Sequence, residues 1–196
     1  MPLLTTQSAR SYGFGLQSEL FHSYQGLASY TVGVGGVDNI SFTIPSTYDH
    51  LQFFYRIRTT KNATTDFVNV RFNSDNTSNY NFDYLEAASS TSTLNPGVGT
   101  KATNTAGWLT AVVGGNATAN IFAQGQGFIA DYSKTNRNKT MHCLGGYDDH
   151  GTSIGNSRIE NTVWFSNNAI TTINFYPESL TKFAQYSNIS IFGIKG

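Results

Sequence analysis

The densest group of chemically capable side chains in this sequence is Gly145-Gly146-Tyr147-Asp148-Asp149-His150-Gly151. Two adjacent carboxylates and an imidazole have the donor types for binding a divalent cation or moving a proton. Consecutive residues of an extended strand point to opposite faces, so Asp148 and Asp149 converge only if a turn curls them together. The flanking glycines permit such a turn. A structural turn is the expected role, with Asp148 and Asp149 the candidates should a cation bind. Asp75-Asn76-Thr77-Ser78-Asn79 begins like a calcium loop but lacks the glycine at the sixth position and the bidentate glutamate at the twelfth. It reads as a turn made by Asx side chains.

Other chemistries find little footing. His22, His50, His142 and His150 show no metal-ligand spacing, and a single cysteine, Cys143, excludes both an internal disulfide and a Cys-based zinc site within one chain. With Met141 and Leu144 beside it, Cys143 reads as an inert core thiol. No nucleophile elbow, Walker loop or dinucleotide fingerprint is present. Glycoside hydrolysis generally needs two carboxyl groups flanking one bond. The only glutamates are Glu19, Glu86, Glu160 and Glu178, and none sits near another carboxylate at the alternating spacing of a shared strand face. The expectation is a protein that is not an enzyme and has no cofactor.

The elements that must position these residues are strands. Ile40, Phe42 and Ile44 alternate with Ser41 and Thr43; Leu51, Phe53, Tyr55 and Ile57 alternate with a second set that includes Gln52, Arg56 and Arg58. Period 2 places each set on one face, so these stretches read as adjacent strands sharing a core face. Val68, Val70 and Phe72 continue the alternation up to the turn at Asn73. Further strands are expected over 107–113, 118–130, 139–146, 158–165, 169–176 and 188–195, with Gly125 and Gly127 marking a bulge. Residues 87–106, rich in Ala, Ser, Thr, Asn and Gly, read as a surface excursion. About ten strands and no capped amphipathic helix imply an all-β, antiparallel two-sheet sandwich of jelly-roll type. Phe53, Phe72, Trp164, Phe175 and Phe192 are the expected core aromatics. The last strand is expected inside a sheet, because Ile189 and Ile191 fall on one face and Phe192 and Ile194 on the other.

Residues 1–26 lack sustained alternation yet carry Tyr12, Phe14, Leu20 and Phe21, apolar groups that need somewhere to go. They read as an assembly arm that docks on a neighbour, with 27–196 as the sandwich domain. Aromatic residues make up 14% of the chain, which argues for an ordered core despite the abundance of small polar residues. Only 12% of residues are charged and the formal net charge is zero, which argues against nucleic acid or an anionic membrane surface as partner. No run approaches a membrane-spanning length, and the amino terminus turns polar too soon for a secretory signal.

Four collinear stretches resemble a group of small virion proteins from aquatic tailed bacteriophages. They are Ile44-Pro45-Ser46-Thr47-Tyr48-Asp49-His50-Leu51-Gln52, Arg71-Phe72-Asn73-Ser74-Asp75-Asn76-Thr77-Ser78-Asn79-Tyr80, Asp131-Tyr132-Ser133-Lys134-Thr135-Asn136-Arg137-Asn138-Lys139-Thr140, and Ser190-Ile191-Phe192-Gly193-Ile194-Lys195-Gly196. The opening Gln7-Ser8-Ala9-Arg10-Ser11-Tyr12-Gly13-Phe14-Gly15 is similar to the start of many phage tail and fibre proteins. The resemblance implies a structural protein assembled in the bacterial cytoplasm and displayed on the virion, as a capsid decoration subunit or a tail or fibre component. Its partners would be other capsid or tail proteins and copies of itself, with a trimer expected by analogy. The alternative is a receptor-binding module for host-surface glycan, with Tyr80, Trp108 and Tyr147 as the candidate sugar contacts.

Overall fold

The computed structural model describes residues 23–88, 94–98, 104–148 and 155–196. Tyr12, Phe14, Leu20, Phe21 and Asp149 lie outside the described residues. Twelve strands follow one another: β1 (Tyr24–Thr31), β2 (Ile40–Thr43), β3 (His50–Ile57), β4 (Thr65–Phe72), β5 (Tyr80–Ala88), β6 (Leu94–Val98), β7 (Gly107–Val113), β8 (Ala123–Ile129), β9 (Lys139–Asp148), β10 (Gly155–Trp164), β11 (Thr172–Pro177) and β12 (Asn188–Ile194). They form an antiparallel eight-stranded sheet in the order β1-β12-β3-β8-β9-β10-β5-β6 and a four-stranded sheet in the order β2-β11-β4-β7.

Setting aside the β5–β6 and β9–β10 hairpins leaves β1-β12-β3-β8 facing β2-β11-β4-β7. Those eight strands switch between sheets at every step except β4 to β7, which is jelly-roll connectivity. The two hairpins pair with each other through β10 and β5 and prolong the larger sheet beyond β8. Of the smaller sheet's strands, it is the edge strand β7 that packs beneath β9, β10 and β5.

Alternation builds both layers. Leu51, Phe53, Tyr55 and Ile57 of β3 point inward, as do Val68, Val70 and Phe72 of β4 and Ile189 and Ile191 of β12. Phe53 meets Phe175 of the opposite sheet at 5.5 Å between ring centroids, and Phe72 meets Trp164 at 5.7 Å. The stretches around Phe42 and Phe53 are therefore not paired neighbours. β2 and β3 lie in different sheets and share the core across the sandwich, because the connection crosses between layers.

Gly125 and Gly127 do not form a bulge. They sit in unbroken register with Tyr55 and Phe53 of β3. A Cβ on Gly127 would come within 2.0 Å of the Phe53 ring, and one on Gly125 within 2.2 Å of the Tyr55 hydroxyl. The glycines make room for large β3 side chains to lie across β8. The register shifts fall instead at Gly26/Ala28 in β1 and at Val68/Asn69 in β4.

Three further boundaries move. Residues 24–26 pair with Ile194, Gly193 and Phe192, so they belong to the sandwich rather than to the arm. Within the excursion expected over 87–106, β6 pairs with β5. β12 lies between β1 and β3, an interior position, but Phe192 is on the outer face and not in the core. There it stacks on Tyr24 at 5.2 Å and meets Phe54 edge-on at 5.7 Å.

Candidate functional site

The register places two rows of outward side chains across the middle of the larger sheet. One runs Phe54, Gln126, Leu144, Ile159; the next runs Arg56, Gln124, Gly146, Ser157. Gly146 leaves a gap in the second row, and the segment linking β7 to β8 rises beside it. Together they shape an open groove of about 1130 Å³. Phe54 and Leu144 line one part, Phe122 and Ile121 the loop wall, and Gln124, Gln126, Ser157 and Asp148 supply polar groups.

One residue fixes that wall. The Arg58 guanidinium donates hydrogen bonds to four main-chain carbonyls of the β7–β8 segment, those of Gly115 (3.0 Å), Ala117 (2.7 Å), Thr118 (2.6 Å) and Ile121 (3.2 Å). Arg58 is buried, although strand alternation assigned it to the outer side with Arg56. It follows the last residue of β3, where the chain is no longer held to the strand's alternation. Arg56 does stay outside, its guanidinium 4.2 Å from the centroid of the Phe122 ring. That contact holds the aromatic wall against the sheet.

The expected sugar contacts do not gather at one surface. Tyr80 is fully buried, its hydroxyl accepting from the Phe72 amide at 3.0 Å, so its ring is closed to any surface ligand. Trp108 is stacked with Phe82 at 4.2 Å and with Phe67 at 4.9 Å, so it packs rather than offering a platform. Tyr147 borders the groove, but its hydroxyl turns inward to share a 2.9 Å hydrogen bond with Thr65. Asp148 ends β9, exposed at the groove. Among the described residues no group of three His, Cys, Asp or Glu side chains gathers as metal ligands.

Asp75 is the linchpin of a turn. Its carboxylate accepts from the Thr77 amide at 2.9 Å, from Asn79 at 3.0 Å and from the Trp164 indole at 2.7 Å. Burial raises the pKa of the acid, but these donors outweigh it and hold it at about 2. The carboxylate ties the β4–β5 turn to a core tryptophan.

A second polar group lies inside. Glu86 and Glu160, far apart in sequence, both meet Arg158: Arg158 Nη1 donates to Glu86 Oε2 at 2.7 Å, and Arg158 Nε lies 2.7 Å from Glu160 Oε1. The second contact is an ion pair whose angle is wrong for a hydrogen bond, and neither Glu160 oxygen has a hydrogen-bond partner among the described residues. Burial pushes the Glu160 carboxyl up to about 7 despite the nearby Arg158 charge. The Tyr84 ring sits 3.9 Å from the guanidinium. Two carboxylates thus come together where strand spacing indicated none. Arg158 occupies the interval between them, and it and Glu160 are closed off from solvent. Close by, Cys143 is buried and burial raises its thiol well above the ordinary range, which keeps it protonated.

Comparison with known protein families, with curated proteins and with solved structures finds no match to this chain. What it does must be read from these surfaces.

Proposed function

We propose that this chain is a non-enzymatic structural protein of a tailed-bacteriophage particle, displayed on its outer surface as a capsid decoration subunit or a tail or fibre component. It works through contacts with other virion proteins and with copies of itself, a trimer being the working symmetry. The observation that carries this reading is a patch at the far end of the larger sheet. Leu85 of β5 and Ile159 of β10 stand side by side on the outer face, and Leu94 of β6 lies diagonally beyond them opposite Ala87; Leu85, Leu94 and Ile159 are exposed by 40%, 62% and 56%. Neighbouring exposed aliphatic groups beside a strand whose far edge has no pairing partner among the described residues are the signature of a surface meant for another protein. The low charge of the chain supports the same reading, since few long charged side chains lose entropy on packing. The resemblance of the four collinear stretches to virion proteins supports a place on the virion.

Two measurements test it. Mass spectrometry of purified particles should find the protein at a fixed multiple of another virion component. Sedimentation of the isolated protein should show a discrete oligomer that Ile159→Ser and Leu94→Ser dissociate. Absence from the particles removes the virion reading, and a monomer unaffected by those substitutions removes the patch as its interface.

A further inference from the structure

We infer that the groove on the outer face of the larger sheet is a binding site for a neutral saccharide. It is distinct from the Leu85–Ile159 patch, and of the three residues expected to contact sugar only Tyr147 borders it, with its hydroxyl turned inward to Thr65. The chemistry of the lining selects the ligand. Phe54 and Phe122 give two aromatic surfaces, while Gln124, Gln126 and Ser157 give uncharged donors and acceptors between them. A lipid tail has no groups to partner those amides and would leave them unsatisfied on burial. A phosphate-rich ligand would find Asp148 and no lysine in the lining. A pyranose satisfies both demands, with an apolar C–H face for the rings and hydroxyls at its rim for the amides.

The architecture is that of a built site. Gly146 holds the floor low between Gln124 and Ser157, where any Cβ would come within 2.5 Å of the Asn156 carbonyl oxygen. The wall is set by the buried Arg58 and by the Arg56–Phe122 contact, so ring and amides are positioned before a ligand arrives. The lining crosses β3, β8, β9 and β10, a width of about 14 Å at the usual strand spacing, which suits a short stretch of an oligosaccharide rather than a single ring.

The test titrates the full-length protein by calorimetry and by ligand-observed NMR. The probes are neutral oligomers of glucose, mannose, galactose and N-acetylglucosamine, with polyphosphate and a detergent micelle as contrasting chemistries. The expected result is saturable binding of at least one neutral oligomer. Phe54→Ala and Gln126→Ala should each weaken it about tenfold or more, roughly 1.4 kcal/mol. Both side chains are on the outer face, so folding is checked by an unchanged melting temperature. Arg58→Met, which releases the wall, should abolish binding with Phe54 and Gln126 intact. Leu85→Ser should leave binding unchanged while altering the oligomer, which separates failure of this site from failure of the assembly reading. No saturable binding across the neutral panel overturns the proposal. So does binding that survives both Phe54→Ala and Gln126→Ala, or a preference for polyphosphate or the micelle.

Discussion

Beneath β3 and β12 the inner face of the large sheet carries Leu51, Phe53, Ile57, Ile189 and Ile191, whereas beneath β10 and β5 it carries Asn156, Arg158, Glu160, Thr162 and Glu86. The backbone is the same continuous antiparallel sheet in both places. What differs is the cover. β3 and β12 belong to the jelly roll proper and look onto the smaller sheet, with Phe175 across from Phe53. Of the described strands of the smaller sheet, the added hairpins have the edge strand β7 beneath them, supplemented by the stacked rings of Phe82, Trp108 and Phe67. Where two sheets meet, apolar close packing suffices. Where a sheet outruns its partner, the remaining space is filled by an ion cluster roofed with aromatic rings. Such clusters are sensitive to the loss of any one member, while apolar cores answer mainly to volume.

The sharpest way to break this contrast is to remove the cation. Arg158→Met leaves the buried Glu160 and the part-buried Glu86 without their cation and is expected to cost about 4 kcal/mol above about pH 7, and less in acid, where Glu160 is neutral. Phe53→Ala in the apolar half should cost a similar ~4 kcal/mol with no such pH dependence. Urea unfolding of both variants across pH decides it. If the two penalties run parallel with pH, the ion cluster is not the distinguishing feature of the extension.

The unmodified protein offers the next largest effect. Glu160 titrates at about 7 when folded, against an ordinary 4.5. Below 4.5 it is protonated in both states, so no penalty applies. As pH rises through about 7 the unfolded chain has already released its proton and the folded one must follow. The Glu160 contribution therefore falls across that window, by on the order of 3 kcal/mol. Asp75 acts with the opposite sign and in a lower window. Its folded value is held at about 2, so its contribution is present above the ordinary 3.8 and is lost as pH falls toward 2. Glu160→Gln should flatten the neutral-pH decline and leave the acid limb in place. A decline that persists in that variant assigns it to another group.

Two smaller effects sharpen the apolar side of the comparison. Gly127→Ala drives a methyl group into the Phe53 ring and should cost about 2 kcal/mol, an overpacking penalty read from the denaturation midpoint. The double variant Gly127→Ala/Phe53→Leu should recover part of it. Phe192→Ala, on the half-covered outer face between Tyr24 and Phe54, should cost only about 1 kcal/mol. A loss near that of Phe53→Ala would mean that something else covers this face in solution.

Strand content was legible because period 2 is written directly into Leu51–Ile57, Val68–Phe72 and Ile189–Ile191. Partners were not, because alternation assigns a face but says nothing about which sheet a strand joins; β2 and β3 were misread for this reason. The ion cluster was hidden by an inversion. In β10 the apolar Ile159 points to solvent while Arg158, Glu160 and Thr162 point inward, in phase with Trp164. Trp164 was the one available signal, since a core tryptophan fixes the phase of its whole strand. Arg58 was misplaced because alternation was extended one residue past the strand end. The groove depends on a glycine gap and a loop docked from elsewhere, neither of which has a periodic signature.

The four bonds from Arg58 all end on carbonyl oxygens of the β7–β8 segment, and none on a side chain. A guanidinium that reads only backbone is indifferent to what the clamped residues are. The exposed Thr118 and Ala119 can therefore be exchanged without surrendering the shape of the segment that carries them. The clamp separates geometry from identity: one arginine keeps the frame, and the frame can display a new face through single substitutions. A lineage under pressure to meet changing surfaces, or a designer grafting one, has here a segment whose letters vary while its scaffold stays inherited.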